Sequence, residues 1–325
     1  MNGEAALLLL ADSRLPAGGH AHSGGVEEAV RRGTVTGTGD LARFLRGRLA
    51  TTGLVTAALA AAACELAACD AFSDTSPDTV SDTAARAARE ASEAAAGRAR
   101  GDADTHPRRP SGGGDTSGTP ATRPERHHTE GDTRVRGLSG GGDGLELWRR
   151  LDDEADARTV SPAQREAART QGRLLLRTAR RMWPSAALDT LARAVPEGAH
   201  HPVALGAAAA AAGCAPRQAA LAAAYASVTG PATAAVRLLG LDPVAVHRLL
   251  SDLTPALEEA ARSACAALGD AAPAHGGPDG EPHAEPDDGP DAWRARWAAL
   301  PGHGAPALDL LAEGHLINPM KLFVS

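Results

Sequence analysis

The chain has 325 residues, a formal net charge of −7 at pH 7, 43% hydrophobic residues and only 2% aromatic ones. So little aromatic surface leaves Leu, Val and Ala to fill the core, which favours close helix packing over a sandwich or barrel. The 33 basic residues include a single lysine, Lys321, and the arginines are scattered among acids, so no basic face emerges and nucleic acid is excluded as a partner.

Read from the start, MNGEAALLLLADS has no positive n-region, carries Glu4 and has an apolar run too short for a secretory signal, which predicts a cytoplasmic protein. A loop follows, LPAGGHAHSGGVEEAV, with four glycines, two histidines and a proline between Pro16 and Val26. Next, Asp40 is a suitable N-cap for LARFLRGRLATTG, whose Leu41, Phe44, Leu45 and Leu49 share one stripe. Gly53 then allows a break before an alanine-rich run, Leu54 to Phe72. That run approaches membrane-spanning length but contains Glu65 and Asp70, and alanine drives insertion weakly, so a buried helix and no membrane partner are expected. Between Ser73 and Gly137 there is no Leu, Ile, Met, Phe, Trp or Tyr, a composition that predicts disorder.

Beyond the insertion, Ser161 and Pro162 give a cap and a first-turn proline for a helix that Pro184 stops, with a core face of Ala168, Gln171 or Gly172, Leu175, Ala179 and Met182. HHPVALGAAAAAAG ends at Gly213, a helix from Pro216 ends at Gly230, and another restarts at Pro231. Asp242 caps the next, with a kink at Pro255. The tract Gly269 to Ala292 again reads as disordered. No run alternates with strand periodicity. The expected fold is therefore all-α, a single multi-helix domain of roughly eight to ten helices with a disordered insertion. It is built from residues 1–72, 138–268 and 293–325, interrupted by 73–137 and 269–292.

Chemistry is tested most sharply at the opening loop. Gly19 and Gly24 have Walker A spacing, but Gly25 and Val26 stand where Lys and Ser or Thr are needed, and Glu27 and Glu28 would repel an anion at the helix start. His20 with His22, and adjacent His200 with His201, lack the intervals of a structural zinc site. Cys64, Cys69, Cys214 and Cys265 are too few and too scattered for a disulfide scaffold, which fits a reducing compartment, and Cys64 and Cys69 read as small buried hydrophobes. No nucleophile elbow is present, and Asp152 with Asp153 reads as ordinary charge on a solvated helix face. No catalytic constellation emerges, no stably bound cofactor is expected, and a recognition role is favoured over an enzyme. The alternatives are a direct metal-binding or hydrolytic protein that uses His20 and His22, or a helical interaction module. The tail GHLINPMKLFVS carries Leu316, Ile317, Met320, Leu322 and Phe323, an apolar density suited to docking either on its own domain or on a partner.

These residues carry a resemblance. LLADSRLPAGGHAHSGGVEEAV is similar to the opening of the urease accessory protein F family, and REAARTQGRLLLRTARRMWP, HHPVALGAAAAAAG, AALAAAYASVTGPATAAVRLLGLD and the Leu-Phe-x-Ser tail follow in that family's order. The resemblance implies an all-helical, dimeric, non-enzymatic scaffold. It would join accessory proteins D (also called H) and the GTPase G, so that nickel and GTP act in the partner complex on apo-urease. Carried over by position, it implies partner contacts at Pro16, Gly18, Gly19, His22, Gly25 and Glu27 in the loop, Tyr225 and Arg237 in a late helix, and Lys321, Leu322 and Phe323 in the tail. The family usually has Phe and Tyr at His20 and His22, and Arg-Leu-Phe-Arg-Ser where this chain ends Lys321-Leu322-Phe323-Val324-Ser325, so a bidentate fork and one charge are lost.

Overall fold

The computed structural model describes residues 3–12, 15, 21–69, 141–270 and 290–324. Both tracts read as disordered, 73–137 and nearly all of 269–292, lie outside the described residues. So do Pro16, Gly18, Gly19 and His20 of the loop. Every regular element among the described residues is helical. In chain order these are α1 (Gly3–Ala11), α2 (Val26–Arg31), α3 (Thr38–Arg48), a π-helical turn (Leu49–Gly53), α4 (Leu54–Ala68), α5 (Gly141–Ala157), α6 (Pro162–Met182) and α7 (Ala186–Ala194). They continue with α8 (His201–Ala211), α9 (Pro216–Leu239), α10 (Pro243–Asp252), α11 (Thr254–Asp270), α12 (Pro290–Ala298) and α13 (Pro306–Leu316). The segments outnumber the eight to ten expected because short pieces such as α2 stand separately.

The alanine-rich helices α4, α8 and α9 form the centre; α11 lies on α4 and α9, and α6 lies on α8. Alanine buries little area per residue, so the core depends on close helix approach. Ala57 to Ala63 of α4 and Ala207 to Ala209 of α8 are buried. Two runs, Thr38–Ala68 and Pro216–Leu239, are long and apolar enough to cross a membrane, but both supply core faces here. All four cysteines are free; the Cys64 thiol donates to Cys214 O at 3.4 Å, and burial pushes its pKa up to about 12.

Several start and stop signals act as read. Ser161 Oγ accepts from Gln164 N at 3.2 Å, and Asp242 accepts from Val244 N and Ala245 N. Four readings change. Asp40 is not an N-cap: it sits inside the first turn of α3 and accepts from the Thr36 amide and hydroxyl. Gly53 does not break the chain, which passes through the π turn into α4. Pro255 falls in the first turn of α11 after a stop at Leu253, where proline needs no amide partner. The core face of α6 holds Gly172, Leu175, Leu176 and Ala179, while Met182 is exposed because Trp183 turns inward instead.

A fifth change bears on the site. Pro231 does not restart a helix but lies inside α9, where its missing N–H leaves the carbonyl of Ser227 without its helical partner. Arg48 replaces that donor from the end of α3: its Nε donates to Ser227 O at 2.8 Å, and its Nη1 donates to Gly24 O at 3.0 Å. One side chain thus repairs α9 and ties the glycine loop to it.

Candidate functional site

The second half of the opening loop, Ala21 to Gly25, enters α2 through left-handed Gly24 and Gly25 (φ 59° and 88°), a conformation that L side chains rarely adopt. That turn buries the next two residues, Glu27 and Glu28. A buried carboxylate needs donors. Glu27 finds them in the C-terminal tail: Leu322 N donates to Oε1 at 2.6 Å and Phe323 N to Oε2 at 3.2 Å. His315, at the end of α13, completes the contact. Its Nδ1 lies 3.4 Å from Glu27 Oε2, and its Nε2 lies 3.2 Å from Phe323 O. Val324 N donates to Ala21 O at 2.7 Å. The tail is therefore clasped by four of its backbone groups, three of them on the loop and α2 and one, Phe323 O, on His315 of α13, with Phe323 buried as the anchor.

Glu28 faces the other way, accepting from Arg31 Nε at 2.6 Å and Arg32 Nε at 2.7 Å. The Arg31 hydrogen bond outweighs desolvation and, with Arg32, holds its pKa down to about 2. A group held below its usual value stabilises the fold above about pH 4.5, and that contribution is lost as pH falls toward 2. Glu28→Gln is expected to lower stability at pH 7 by up to about 2 kcal/mol, allowing for solvent screening of the half-exposed guanidiniums. The gap from wild type should close in urea titrations run toward pH 2; a gap independent of pH would show that the carboxylate charge does not act here.

From the clasp, α13 runs to the start of α6. Glu313 Oε1 accepts from Ser161 Oγ at 2.5 Å and from Ala163 N at 3.0 Å, and Asp309 accepts from Gln164 Nε2 at 3.1 Å. These bonds fix α13 on one side and leave Leu310, Leu316, Ile317, Met320 and Leu322 exposed on the other, an unusual apolar density for surface side chains.

Between loop, tail and α9 lies a cavity of about 770 Å³, lined by His22, Gly24, Gly25, Arg48, His201, Tyr225 and Val324 among others. Burial, with a smaller push from His22, holds His201 down to about 4, so it is neutral at pH 7. Behind this cavity, on α5 and the turn before α8, is a network that contradicts the reading of Asp152 as surface charge. Asp152 is buried, accepts from His200 N at 2.7 Å and pairs with Arg169 Nη1 at 2.9 Å. Asp156 takes Arg169 Nη2 and His200 Nε2, each at 3.0 Å. Desolvation raises the Asp152 pKa; at Asp156 desolvation is outweighed by the His200 and Arg169 hydrogen bonds, and the pKa falls.

Of the positions expected to carry contacts, the structure brings His22, Gly25, Glu27, Leu322 and Phe323 together. Lys321 sits beside them with Nζ on Leu316 O at 3.4 Å. Tyr225 lies on the cavity wall and Arg237 on the exposed side of α9, away from the clasp. Among the described residues, no group of three or more His, Cys, Asp or Glu is arranged to hold a metal ion.

Comparison with known proteins decides the family. The UreF family model matches residues 140–254. The urease accessory protein UreF of Mycolicibacterium vanbaalenii is 36% identical over 270 residues, covering 83% of this chain and 89% of that protein. The chain belongs to the UreF family. The urease accessory proteins UreF of Mycobacterium sp. strain JLS and Mycobacterium marinum are 36% and 35% identical, covering 79% and 82% of this chain and 83% and 87% of their own lengths. The UreF match spans α5 to α10, and the relatives extend the similarity over most of the rest. Sequence reading missed three parts of the site. Arg48 was signalled only by the orphaned Ser227 carbonyl four residues before Pro231, His315 by nothing local, and Asp152 only by the helical spacing that pairs it with Asp156 on one face.

Proposed function

We propose that this UreF protein acts in urease maturation as a cytoplasmic, dimeric scaffold. It joins the accessory protein D (or H) to the GTPase G, so that GTP-dependent nickel insertion into apo-urease takes place in the complex and this chain supplies no reactive group. The observation that carries this reading is the clasp: it presents a row of exposed apolar side chains, Leu316, Ile317, Met320 and Leu322, on a backbone held rigid by Glu27 and His315. Preformed apolar surface on an ordered support is what a partner interface requires, since little ordering entropy is then lost on binding. The partners' identity rests on the family.

The test is co-expression with the D-type protein and the GTPase, followed by affinity capture and size exclusion. The full chain should give a ternary complex, and the chain lacking residues 314–325 should give none. Because the truncation also removes His315 and Phe323 from the fold, Leu322→Asp with Met320→Asp serves as a second variant; both side chains are exposed, so folding should be unchanged and D-protein capture reduced about tenfold or more. Capture of the D protein by both altered chains at wild-type yield would overturn the tail assignment, and failure of the full chain to bind either partner would overturn the scaffold reading.

A further inference from the structure

Both ring nitrogens of His315 face acceptors. Nε2 lies 3.2 Å from the carbonyl of Phe323, and Nδ1 stands at ion-pair distance, 3.4 Å, from Glu27 Oε2. The imidazole and the carboxylate are buried together, with 2% and 7% of their side-chain surface exposed. A neutral imidazole has one N–H and one lone pair. With the N–H on Nε2 it serves Phe323 O and turns the Nδ1 lone pair toward Glu27; with the N–H on Nδ1 the Nε2 lone pair meets the carbonyl. Only the imidazolium presents a proton to both.

Glu27 is not free to turn away from the ring. Its Oε1 and Oε2 accept from Leu322 N and Phe323 N, so a rotation that relieved the lone pair would release the tail. The other charges packed against the end of α13 are committed to partners. Glu28 and Arg32 of α2 abut Gly314 and are bonded to each other, Lys321 of the tail reaches Leu316 O, and Asp309 and Glu313 of α13 itself hold Gln164, Ser161 and Ala163 at the start of α6. Asp12, His22, Arg48 and His201 line the cavity that His315 also borders.

We propose that the clasp is a pH-operated latch, in which a proton on His315 locks the C-terminal tail against Glu27 and loss of that proton loosens it. The clasped tail binds a proton that the released tail does not require. Closure is therefore favoured as pH falls and weakened as pH rises through the range where imidazoles titrate, about pH 5–8. Exposed Leu316, Ile317, Met320 and Leu322 then sit on an ordered support at the lower pH and on a looser one at the higher. That consequence bears on a partner only through the scaffold reading, whereas the latch is a property of this chain alone and is measured without a partner.

The test is hydrogen exchange of the full chain at pH 6 and pH 8, with each rate corrected for the intrinsic pH dependence of amide exchange. In the wild type, protection of the Leu322 and Phe323 amides should fall about tenfold or more from pH 6 to pH 8, while the amides of α4 and α8 keep theirs. His315→Gln keeps an N–H for Phe323 O but cannot take up a proton, so its tail should be less protected at pH 6 and equally protected at both pH values. His303→Gln, a change at an exposed histidine before α13, should retain the wild-type difference. If His315→Gln fails to fold, His315→Asn replaces it with the same expectation. Equal tail protection at pH 6 and pH 8 in the wild type, or a parallel loss in α4, would overturn the latch. So would a pH dependence that survives in His315→Gln, because the titrating group would then be one of the other acids or imidazoles around the cavity.

Discussion

Asp152→Ala is expected to cost about 3–5 kcal/mol of folding stability, because it leaves Arg169 buried beside an empty acceptor and strips the amide of His200 of its partner. The network ties three segments that are distant in sequence: α5 through Asp152 and Asp156, α6 through Arg169, and the turn into α8 through His200. Arg169 Nη1 also donates to Gly198 O at 2.9 Å, so losing the carboxylate loosens that turn as well. Urea unfolding at pH 7.5 should show a lower midpoint with an unchanged slope. Asp153→Ala, one residue along on the exposed face, should stay within about 0.5 kcal/mol of wild type. The acid dependence separates the two carboxylates. Asp152 has a raised pKa, so its contribution is complete below the unfolded value and declines as pH rises through the folded one. Asp156 has a lowered pKa, so its contribution is complete above the unfolded value and is lost as pH falls. Asp156→Asn should therefore flatten the loss of stability below about pH 4, and Asp152→Asn should not. A cost below about 1 kcal/mol for Asp152→Ala would mean that the pair is solvated and the network is not a core element.

What the sequence made legible is what depends on neighbours along the chain. Ser161 before Pro162, and Asp242 before Pro243, form caps with amides two or three residues away, so spacing alone located them. The all-helical architecture followed from composition for a similar reason: an alanine-rich core with almost no aromatic residues can be filled only by close-packed helices. Contacts between distant segments were opaque. Pro231 read as a helix start because the donor that rescues Ser227 O comes from Arg48, 179 residues away. Asp152 read as surface charge because its partners lie on α6 and before α8. The tail's two possible destinations were evenly balanced in the sequence, since its apolar residues serve both. The structure divides them by side chain, with Phe323 inward on the domain and Leu322 and Met320 outward. Glu27 shows the same division of information. The family resemblance placed it in the loop, but only the fold shows that its two oxygens are occupied by tail amides.

Glu27→Gln is expected to release the tail almost as completely as Glu27→Ala. A carboxylate offers two acceptors, and here both are used, by Leu322 N and Phe323 N. A glutamine presents one acceptor and one donor, so one tail amide would meet an N–H group and the other bond would weaken. Each amide left without an acceptor costs about 1–3 kcal/mol, enough to open the clasp while the helical core stays folded. In hydrogen exchange the Leu322 and Phe323 amides should accelerate about a hundredfold or more, those of α4 and α8 should not change, and protease should begin to cut after α13. The consequence for assembly follows from entropy. A tail that must be ordered on binding loses the advantage of its preformed surface, so capture of the D-type partner should fall with Glu27→Gln even though every exposed apolar side chain remains in place. Leu322→Asp provides the opposite case: its amide still reaches Glu27, so exchange should stay slow while capture falls. If the Leu322 and Phe323 amides exchange equally fast in wild type and Glu27→Gln, the clasp does not form in solution. If the clasp opens and capture is unaffected, the tail meets its partner without needing the support of the loop.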